Sequence, residues 1–319
     1  MPAVAAVALV AAACGSSSSK SATTNSSASA DTASGPAATS TPAAATGGAS
    51  TGLQLNAAFE VATTSKPFDT TVSALKSAVS SNGMMVLGTL NQAGALSVTG
   101  LHLPGAETFF VGNPTVGKSL FSKDPAIGAA VPVRMYVWAS SNGQTRVSYL
   151  DPASLAAAIN PAFATPTKML SAKAASIAQA ATGSAPSATA SVPVTFTTVA
   201  SSKSFSSTVS GLKSAVSSAG MMVLGTLNQA GALSVTGLHL NGAESFFVGN
   251  PTTGKKLFGM DPAIGIEIPV DMYVWTSSSG HTSIGYFQPS AVFSAVNSQF
   301  APAGQMFDTT AANIAKSAA

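Results

Sequence analysis

The strongest constraint on the fold is an internal duplication. The segment GMMVLGTLNQAGALSVTGLHL occurs at residues 83–103 and again, without a change, at residues 220–240, which is an offset of 137 residues. Between Gly83 and Trp138, only ten of 56 positions differ from the second copy. One folding unit is therefore written twice in this chain.

The limits of the two units follow from the same offset, which holds without an insertion from Phe59 to Ile177 of the first copy. A chain of 319 residues, of which 46% are hydrophobic, has enough apolar side chains for two modest cores. We place the first repeat at residues 53–180, a linker at residues 181–191 and the second repeat at residues 192–319.

Each repeat alternates the patterns of strands and helices. In the first, DTTVSALKSAVSSNG predicts a helix that Asp69 caps and Gly83 ends. MMVLGTL, SVTGLHL and ETFFVGN predict strands, and PVRMYVWASSNGQTRVSYL predicts a hairpin that turns at Asn142-Gly143. Hairpins mixed with helices indicate an α+β fold: two tandem two-layer sandwiches, each a mainly antiparallel sheet covered by helices.

Several short motifs of each repeat resemble the family known as domain of unknown function 302. The family has a helix ending in Gly, an Asn-Pro that opens a short helix, then Asp-Pro and Ile-Gly ahead of a Pro that starts a hairpin. The resemblance covers nearly all of both repeats and implies a small α+β domain that tends to pair, with no established reaction. The matching residues are Gly83, Asn113-Pro114, Asp124-Pro125, Ile127-Gly128 and Pro132, and then Gly220, Asn250-Pro251, Asp261-Pro262, Ile264-Gly265 and Pro269.

Cysteines that many family members carry near these motifs are absent from this sequence. Gly112 and Gly249 stand before the Asn-Pro pairs, and Val133 and Val270 follow the hairpin prolines. The thiol or metal chemistry of such relatives is therefore not expected here, and we predict no bound metal and no cofactor.

The single cysteine of the chain, Cys14, follows a short apolar stretch. Together with Ala11, Ala12 and Ala13 it resembles the lipobox of bacterial lipoproteins. The resemblance implies a signal peptide at residues 1–14, palmitate or another acyl chain on Cys14, and an extracytoplasmic protein anchored to the cell membrane. An ordinary cleaved secretory signal is the alternative.

Residues 15–52 are rich in Ser, Ala and Thr. Between residues 15 and 50 there is no aromatic side chain and no aliphatic one larger than Ala. Such a segment buries too little apolar surface to fold. It predicts a disordered tether that holds the repeats away from the membrane.

The segment GNPTVGKS, residues 112–119, fits the phosphate-loop pattern, but the details argue against a nucleotide site. Pro114 removes one of the N–H groups that would hold phosphate, and the second copy has Lys256 in place of the magnesium-binding hydroxyl. We instead expect Asn113 to cap a short helix and Lys118 to be solvated. Charged residues are only 8% and form no basic cluster, so nucleic acid is not expected either.

Two equivalent histidines are the candidates for catalysis. His102 and His239 are followed, five residues later, by Glu107 and Glu244. A histidine and a carboxylate on neighbouring strands can transfer protons, and both pairs together would supply the ligands of one zinc ion between the repeats. The alternative is a strand-edge histidine that is hydrogen-bonded within its own domain.

The hairpin strand predicts where the two repeats meet. One face of this strand is apolar, and the other exposes aromatic residues and a charge that changes from Arg to Asp between the copies. A pseudo-twofold arrangement would pair the two charges and bury the aromatics. The same face could instead stack a sugar, or be covered by a helix. The predicted interface residues are Arg134, Tyr136, Trp138, Asp271, Tyr273 and Trp275.

These features favour a cell-envelope lipoprotein that acts as a non-catalytic binding or interaction module, with a cell-wall or protein ligand. The alternative is an envelope enzyme, hydrolytic or metal-assisted, with its site at the interface between the repeats. Binding of metal, lost in a His102→Ala variant, would distinguish the enzyme.

Overall fold

The computed structural model describes residues 55–319, so the predicted signal peptide, Cys14 and all of the predicted tether lie outside the described residues. The first repeat forms an antiparallel sheet in the order β2-β3-β4-β5-β1-β6. Its strands are β1 (Leu55–Thr64), β2 (Met85–Asn91), β3 (Ala106–Gly112), β4 (Val133–Ala139), β5 (Thr145–Leu150) and β6 (Ser187–Val194). Its helices are α1 (Phe68–Ser81), α2 (Gln92–Ser97), α3 (Pro114–Phe121), α4 (Pro152–Ile159) and α5 (Lys168–Thr182), with 3-10 helices at Pro125–Ala129 and Pro161–Phe163.

The second repeat forms a second antiparallel sheet in the order β7-β11-β10-β9-β8, which confirms the predicted α+β class. Its strands are β7 (Phe196–Ser201), β8 (Met222–Asn228), β9 (Ala243–Gly249), β10 (Val270–Thr276) and β11 (Thr282–Phe287). Its helices are α6 (Phe205–Ser218), α7 (Gln229–Ser234), α8 (Pro251–Met260), α9 (Ser290–Val296) and α10 (Ala301–Ala318), with 3-10 helices at Pro262–Ile266 and Ser298–Phe300.

Two long helices cover one face of each sheet. In the first repeat, Leu75 of α1 and Ile177 of α5 are buried in one cluster with Met135 and Val137 of β4. The intervening residue of β4, Tyr136, belongs to a different cluster that contains mainly residues of the second repeat. Because successive side chains of a strand point to opposite faces, each sheet presents one face to its own helices and the other to the partner repeat.

The start of α1 differs from its prediction. Asp69 was expected to cap the helix, but the capping position is Pro67 and Asp69 lies in the first turn. There the carboxylate is placed to interact favourably with the N-terminal end of the helix dipole. The end of the helix is as expected, because Gly83 has a φ of 66° in the left-handed region that glycine tolerates best.

The prediction of a strand over SVTGLHL is wrong. β2 ends at Asn91, whose side-chain oxygen accepts a hydrogen bond from the Gly94 backbone N–H at 2.7 Å and so starts α2. After this one-and-a-half-turn helix the chain bends at Gly100, with a φ of 79°, and stays irregular until β3. His102 therefore lies in a loop rather than on a strand.

The segment interpreted as a linker, residues 181–191, holds regular structure at both ends. Helix α5 continues to Thr182, and β6 begins at Ser187 and pairs antiparallel with β1 from Leu55↔Val194 to Val61↔Ser187. The chain between the repeats thus adds an edge strand to the first sheet. This explains why the first sheet has six strands and the second has five.

None of the helices within residues 55–319 has both the length and the apolar content that crossing a membrane requires.

Candidate functional site between the repeats

A stacked pair of phenylalanines marks the axis that relates the two repeats. Phe110 and Phe247 are equivalent residues at the offset of 137, and their rings stack with centroids 4.5 Å apart and planes at 17°. A residue that contacts its own copy lies at the twofold axis of an isologous interface. The repeats therefore face each other across a pseudo-twofold axis that passes near this pair.

Reciprocal tyrosines join the repeats on either side of this axis. The Tyr136 hydroxyl donates a hydrogen bond to the Pro262 carbonyl at 2.7 Å, and the Tyr273 hydroxyl donates to the Pro125 carbonyl at 2.8 Å. Both tyrosines are fully buried. A Cβ atom added to Gly265 would lie 2.2 Å from the Tyr136 ring, so only glycine leaves room for the ring there.

The Asp-Pro and Ile-Gly motifs form the surface that receives each tyrosine. Asp124 caps a 3-10 helix by accepting a hydrogen bond from the Ala126 N–H at 3.0 Å. Pro125, the next residue, supplies the carbonyl that accepts from the opposite tyrosine, and Gly128 lies against the ring of that tyrosine. The motif by which the sequence resembles its family is thus used in the contact between repeats.

The two tryptophans of the predicted interface extend the tyrosine contacts. Trp138 stacks on Tyr136 with ring centroids 5.2 Å apart, and Trp275 stacks on Tyr273 with centroids 5.4 Å apart. All four rings are buried. They are therefore used in contacts within the protein and are not free to stack on a sugar.

The phosphate-loop-like segment also contributes to the contact between repeats. Asn113 caps α3 as predicted, with its side-chain oxygen accepting from the Thr115 N–H at 2.9 Å. The Lys118 ammonium, predicted to be solvated, instead donates to the Thr236 carbonyl of the second repeat at 2.8 Å. Lys255, the copy of Lys118, donates the equivalent hydrogen bond to the Thr99 carbonyl of the first repeat. The lysine that would contact phosphate in a true phosphate loop is thus hydrogen-bonded to backbone.

The charged side chains near the axis do not form the simple pair that the sequence suggested. The Arg134 guanidinium donates to three backbone carbonyls of the second repeat, those of Gly265, Glu267 and Pro269, at 3.0–3.3 Å. Two of these lie at the end of a 3-10 helix, where carbonyls lack partners within the helix. Burial lowers the pKa of Arg134, while the nearby charges of Glu267 and Asp271 act to raise it. Asp271 is hydrogen-bonded elsewhere, because its Oδ2 accepts from the Ser245 hydroxyl at 3.1 Å.

Glu267 is a third charged residue at this site, and it was not among the predicted interface residues. Its side chain is only 8% exposed. Burial raises the pKa of the Glu267 carboxyl to about 8, although the Arg134 charge lowers it and the Asp271 and Asp308 charges raise it further. Burial likewise raises the pKa of Asp271 to about 7, opposed by Arg134 and by the hydrogen bond from Ser245.

A cavity of about 80 Å³ lies at the axis between these groups. Arg134, Glu267 and Asp271 line it, together with Ser245 and apolar side chains of both repeats. Arg134 and Asp271 are half-buried, and both line this cavity. Many lining residues are equivalent positions of the two repeats, including the stacked pair Phe110 and Phe247. The cavity is therefore one shared site and not a pair of sites.

The free energy of unfolding should fall as pH rises from 5 to 8. A carboxyl with a higher pKa in the folded than in the unfolded chain, where Asp and Glu titrate near 4, binds more protons when folded. The stabilisation that such a carboxyl contributes is complete at pH values below its pKa in the unfolded chain. It is lost as pH rises through the pKa of the folded state, which is about 7 for Asp271 and about 8 for Glu267. Urea unfolding at several pH values should show a shallower decline for Glu267→Ala than for wild type or for a variant of the exposed Asp69. An unchanged slope in Glu267→Ala would contradict the burial of this carboxyl.

The predicted catalytic histidines lie elsewhere. His102 and His239 are exposed in the loops that precede β3 and β9. Glu107 lies at the start of β3, where burial raises its pKa, while Lys76 lowers it and Asp69 raises it. Glu244 occupies the equivalent place in β9. Across residues 55–319, no group of three or more His, Cys, Asp or Glu side chains could hold a metal ion.

Comparison with known proteins places both repeats in one family. Residues 59–194 and 197–317 each match the family described as "Domain of unknown function DUF302". Among solved structures, the chain is similar to the crystal structure of the uncharacterized conserved protein DUF302 from Bacillus stearothermophilus. That likeness has 19% sequence identity and a TM-score of 0.36, and it covers 39% of this chain and 98% of the other. No curated protein matches. The chain therefore belongs to the DUF302 family and carries two copies of its domain in tandem.

Proposed function

We propose that this protein is a non-catalytic binding protein of the cell envelope, which binds a small ligand in the cavity between its repeats. The observation that carries the proposal is the cluster of Arg134, Glu267 and Asp271 around that cavity, in which Glu267 is buried and the other two are half-buried. Proteins bury charged groups only where pairing or function compensates the loss of hydration.

Unpartnered polar atoms at the cavity support this proposal. Within residues 55–319, the buried Arg134 Nε and Asp271 Oδ1 have no hydrogen-bond partner. Each such atom costs about 1–3 kcal/mol. Since most buried polar groups in proteins are satisfied, two orphans on one cavity wall indicate that a bound molecule completes their hydrogen bonds.

Sequence differences between the two repeats are concentrated at this cavity. Among the ten changed positions are Thr108/Ser245, Ala129/Ile266, Ala130/Glu267 and Arg134/Asp271, and each pair gives the cavity at least one lining residue. The duplicated halves of the site have therefore become chemically different. A cavity on a pseudo-twofold axis can in this way present different groups at its two ends and bind an asymmetric ligand in one orientation.

A thermal-shift screen of the full chain against small polar metabolites, with an Ala129→Ile variant, tests the proposal. Ile266 is the equivalent of Ala129, so the larger side chain suits this local structure and should fill part of the cavity. A true ligand should raise the Tm of wild type by mass action and lose this effect in Ala129→Ile. Ser119→Lys, which introduces the residue of the second repeat at an exposed position, is the matched control. A panel in which no compound distinguishes wild type from Ala129→Ile would overturn the proposal.

The envelope location is a separate part of the proposal, and the lipobox-like sequence before Cys14 supports it. In a bacterial host, the wild-type chain should incorporate labelled palmitate and fractionate with membranes. The Cys14→Ser variant should do neither, because serine offers no thiol for acylation. Equal membrane recovery of both proteins would contradict the lipid anchor, and secretion of both would favour an ordinary cleaved signal.

A further inference from the structure

We infer that the ligand of the cavity, which the proposed function assumes, is a small alkylamine bound as its ammonium ion by the carboxylates of Glu267 and Asp271. Four observations lead to this class: the balance of free hydrogen-bonding atoms, the sum of charges, the apolar walls and the volume.

The free hydrogen-bonding atoms at the cavity are mainly acceptors. Three of the five N–H donors of Arg134 already bind backbone carbonyls, which leaves the Nε–H and one N–H of Nη2. Asp271 has a free Oδ1. Burial and neighbouring charges determine the pKa of Glu267, and no hydrogen bond from residues 55–319 contributes to it. An ammonium group donates up to three hydrogen bonds and accepts none, which matches a site with spare carboxylate oxygens.

The charges of the cluster leave a place for one cation. One guanidinium and two carboxylates, when all are ionised, sum to one negative charge. An uncompensated buried charge is costly, and a carboxyl without a partner stays protonated instead. The raised pKa of Glu267, about 8, is consistent with this condition. An ammonium ion would balance the charge and keep the carboxylate ionised.

A divalent metal ion fits this site less well than an organic cation. Calcium takes six to eight oxygen ligands, and magnesium needs a nearly ideal octahedron. The cluster supplies two carboxyls, and residues 55–319 contain no group of three or more acidic, histidine or cysteine side chains that could hold a metal. The adjacent Arg134 guanidinium repels cations, and its Coulomb repulsion of a divalent ion is twice that of a monovalent ion at the same distance.

The remaining surface of the cavity suits an alkyl group. At about 80 Å³ it is roughly half the volume of an engineered cavity of ~150 Å³ that holds benzene. A ligand of a few heavy atoms therefore fits. The apolar walls are formed by Phe110, Leu155, Leu227, Phe247, Phe287 and Val292.

Binding should release protons and strengthen as pH rises from 6 to 8. An ammonium ion stabilises the ionised carboxylates and so lowers their pKa values. The charged groups that act on Glu267 are Arg134, Asp271 and Asp308, and Asp271 is influenced by Arg134 and by the Ser245 hydroxyl. Glu267 and Asp271 titrate in this range, with pKa values of about 8 and about 7.

Isothermal titration calorimetry of the full chain with methylammonium, ethylammonium and propylammonium chlorides tests the inference. Propanol and sodium propionate are the neutral and anionic probes of similar shape, and sodium chloride controls for ionic strength. Wild type should bind at least one ammonium ion, and Glu267→Ala should lower its affinity at least tenfold. Because Ala130 is the equivalent of Glu267, alanine suits this backbone and the variant should fold. Asp69→Ala, which removes an exposed carboxylate from α1, should leave the affinity unchanged.

The possible outcomes distinguish an error in the inferred ligand class from an error in the proposed binding site. If propionate or propanol binds wild type and Ala129→Ile abolishes that binding, the cavity is a binding site but the amine inference is wrong. If ammonium ions bind wild type and Glu267→Ala equally, the inference is also wrong. If no probe and no compound of the wider screen responds to Ala129→Ile, both the inference and the proposed function fail.

Discussion

Truncation of Tyr136 to alanine is expected to lower the free energy of unfolding by about 3–5 kcal/mol, the usual cost of removing a large buried aromatic side chain. The Tyr136 ring is fully buried between the repeats, and its hydroxyl supplies a hydrogen bond to the Pro262 carbonyl. Urea unfolding gives this free energy directly. Tyr136→Phe should cost only about 1–2 kcal/mol, because it removes the hydrogen bond and keeps the ring.

A double-mutant cycle with Gly265 shows whether the tyrosine acts across the interface. Gly265→Ala alone should cost about 1–3 kcal/mol, since its Cβ would lie 2.2 Å from the Tyr136 ring. In the Tyr136→Ala background the same change should cost almost nothing, because the ring is gone. Additive costs would mean that Tyr136 and Gly265 are not in contact. Gly128→Ala and Tyr273→Ala form the equivalent cycle on the other side of the axis.

Arg134→Asp is expected to cost about 3–5 kcal/mol, the range measured when one partner of a buried charge cluster is removed. The change leaves three backbone carbonyls without donors and adds a carboxyl beside Glu267 and Asp271. The destabilisation should be larger at pH 8 than at pH 5, because the three carboxyls repel each other only when ionised.

Reversing the charges tests whether the pseudo-symmetry is real. In the double variant Arg134→Asp with Asp271→Arg, the guanidinium introduced at position 271 should face the carbonyls of Gly128, Ala130 and Pro132, the equivalents of those that Arg134 contacts. We expect the double variant to regain at least about 1 kcal/mol relative to Arg134→Asp alone. No recovery would mean that the two positions do not exchange roles across the axis.

The local parts of the fold were predictable from the sequence where one residue type has a strong local effect. Gly83 ends α1, Asn113 caps α3, and the hairpin turns where Gly143 has a φ of 80°. The strand predicted over SVTGLHL failed for the same kind of reason, because Asn91 caps a helix that the alternating apolar pattern concealed. A Ser/Ala-rich composition similarly concealed β6, whose conformation comes from pairing with β1 rather than from its own residues.

The site was only partly predictable, because its properties arise from the contact between the repeats. The change from Arg134 to Asp271 drew attention to this region, where both residues line the cavity. The change from Ala130 to Glu267 carries the same kind of signal, four residues earlier in each repeat, and was available in the sequence. Its meaning depends on burial of Glu267 near Arg134 of the other repeat, which no local pattern in the sequence expresses.

We expect the two repeats to fold as one unit, so that the proposed binding site exists only when they are assembled. Their cores are joined, since Leu233, Ala243, Tyr273 and Trp275 of the second repeat belong to the main core cluster of the first. Scanning calorimetry of the full chain tests this most directly. We expect one transition in which the calorimetric and van't Hoff enthalpies agree. Two transitions, or a van't Hoff enthalpy about half the calorimetric value, would show that the repeats unfold independently and would contradict the joined core.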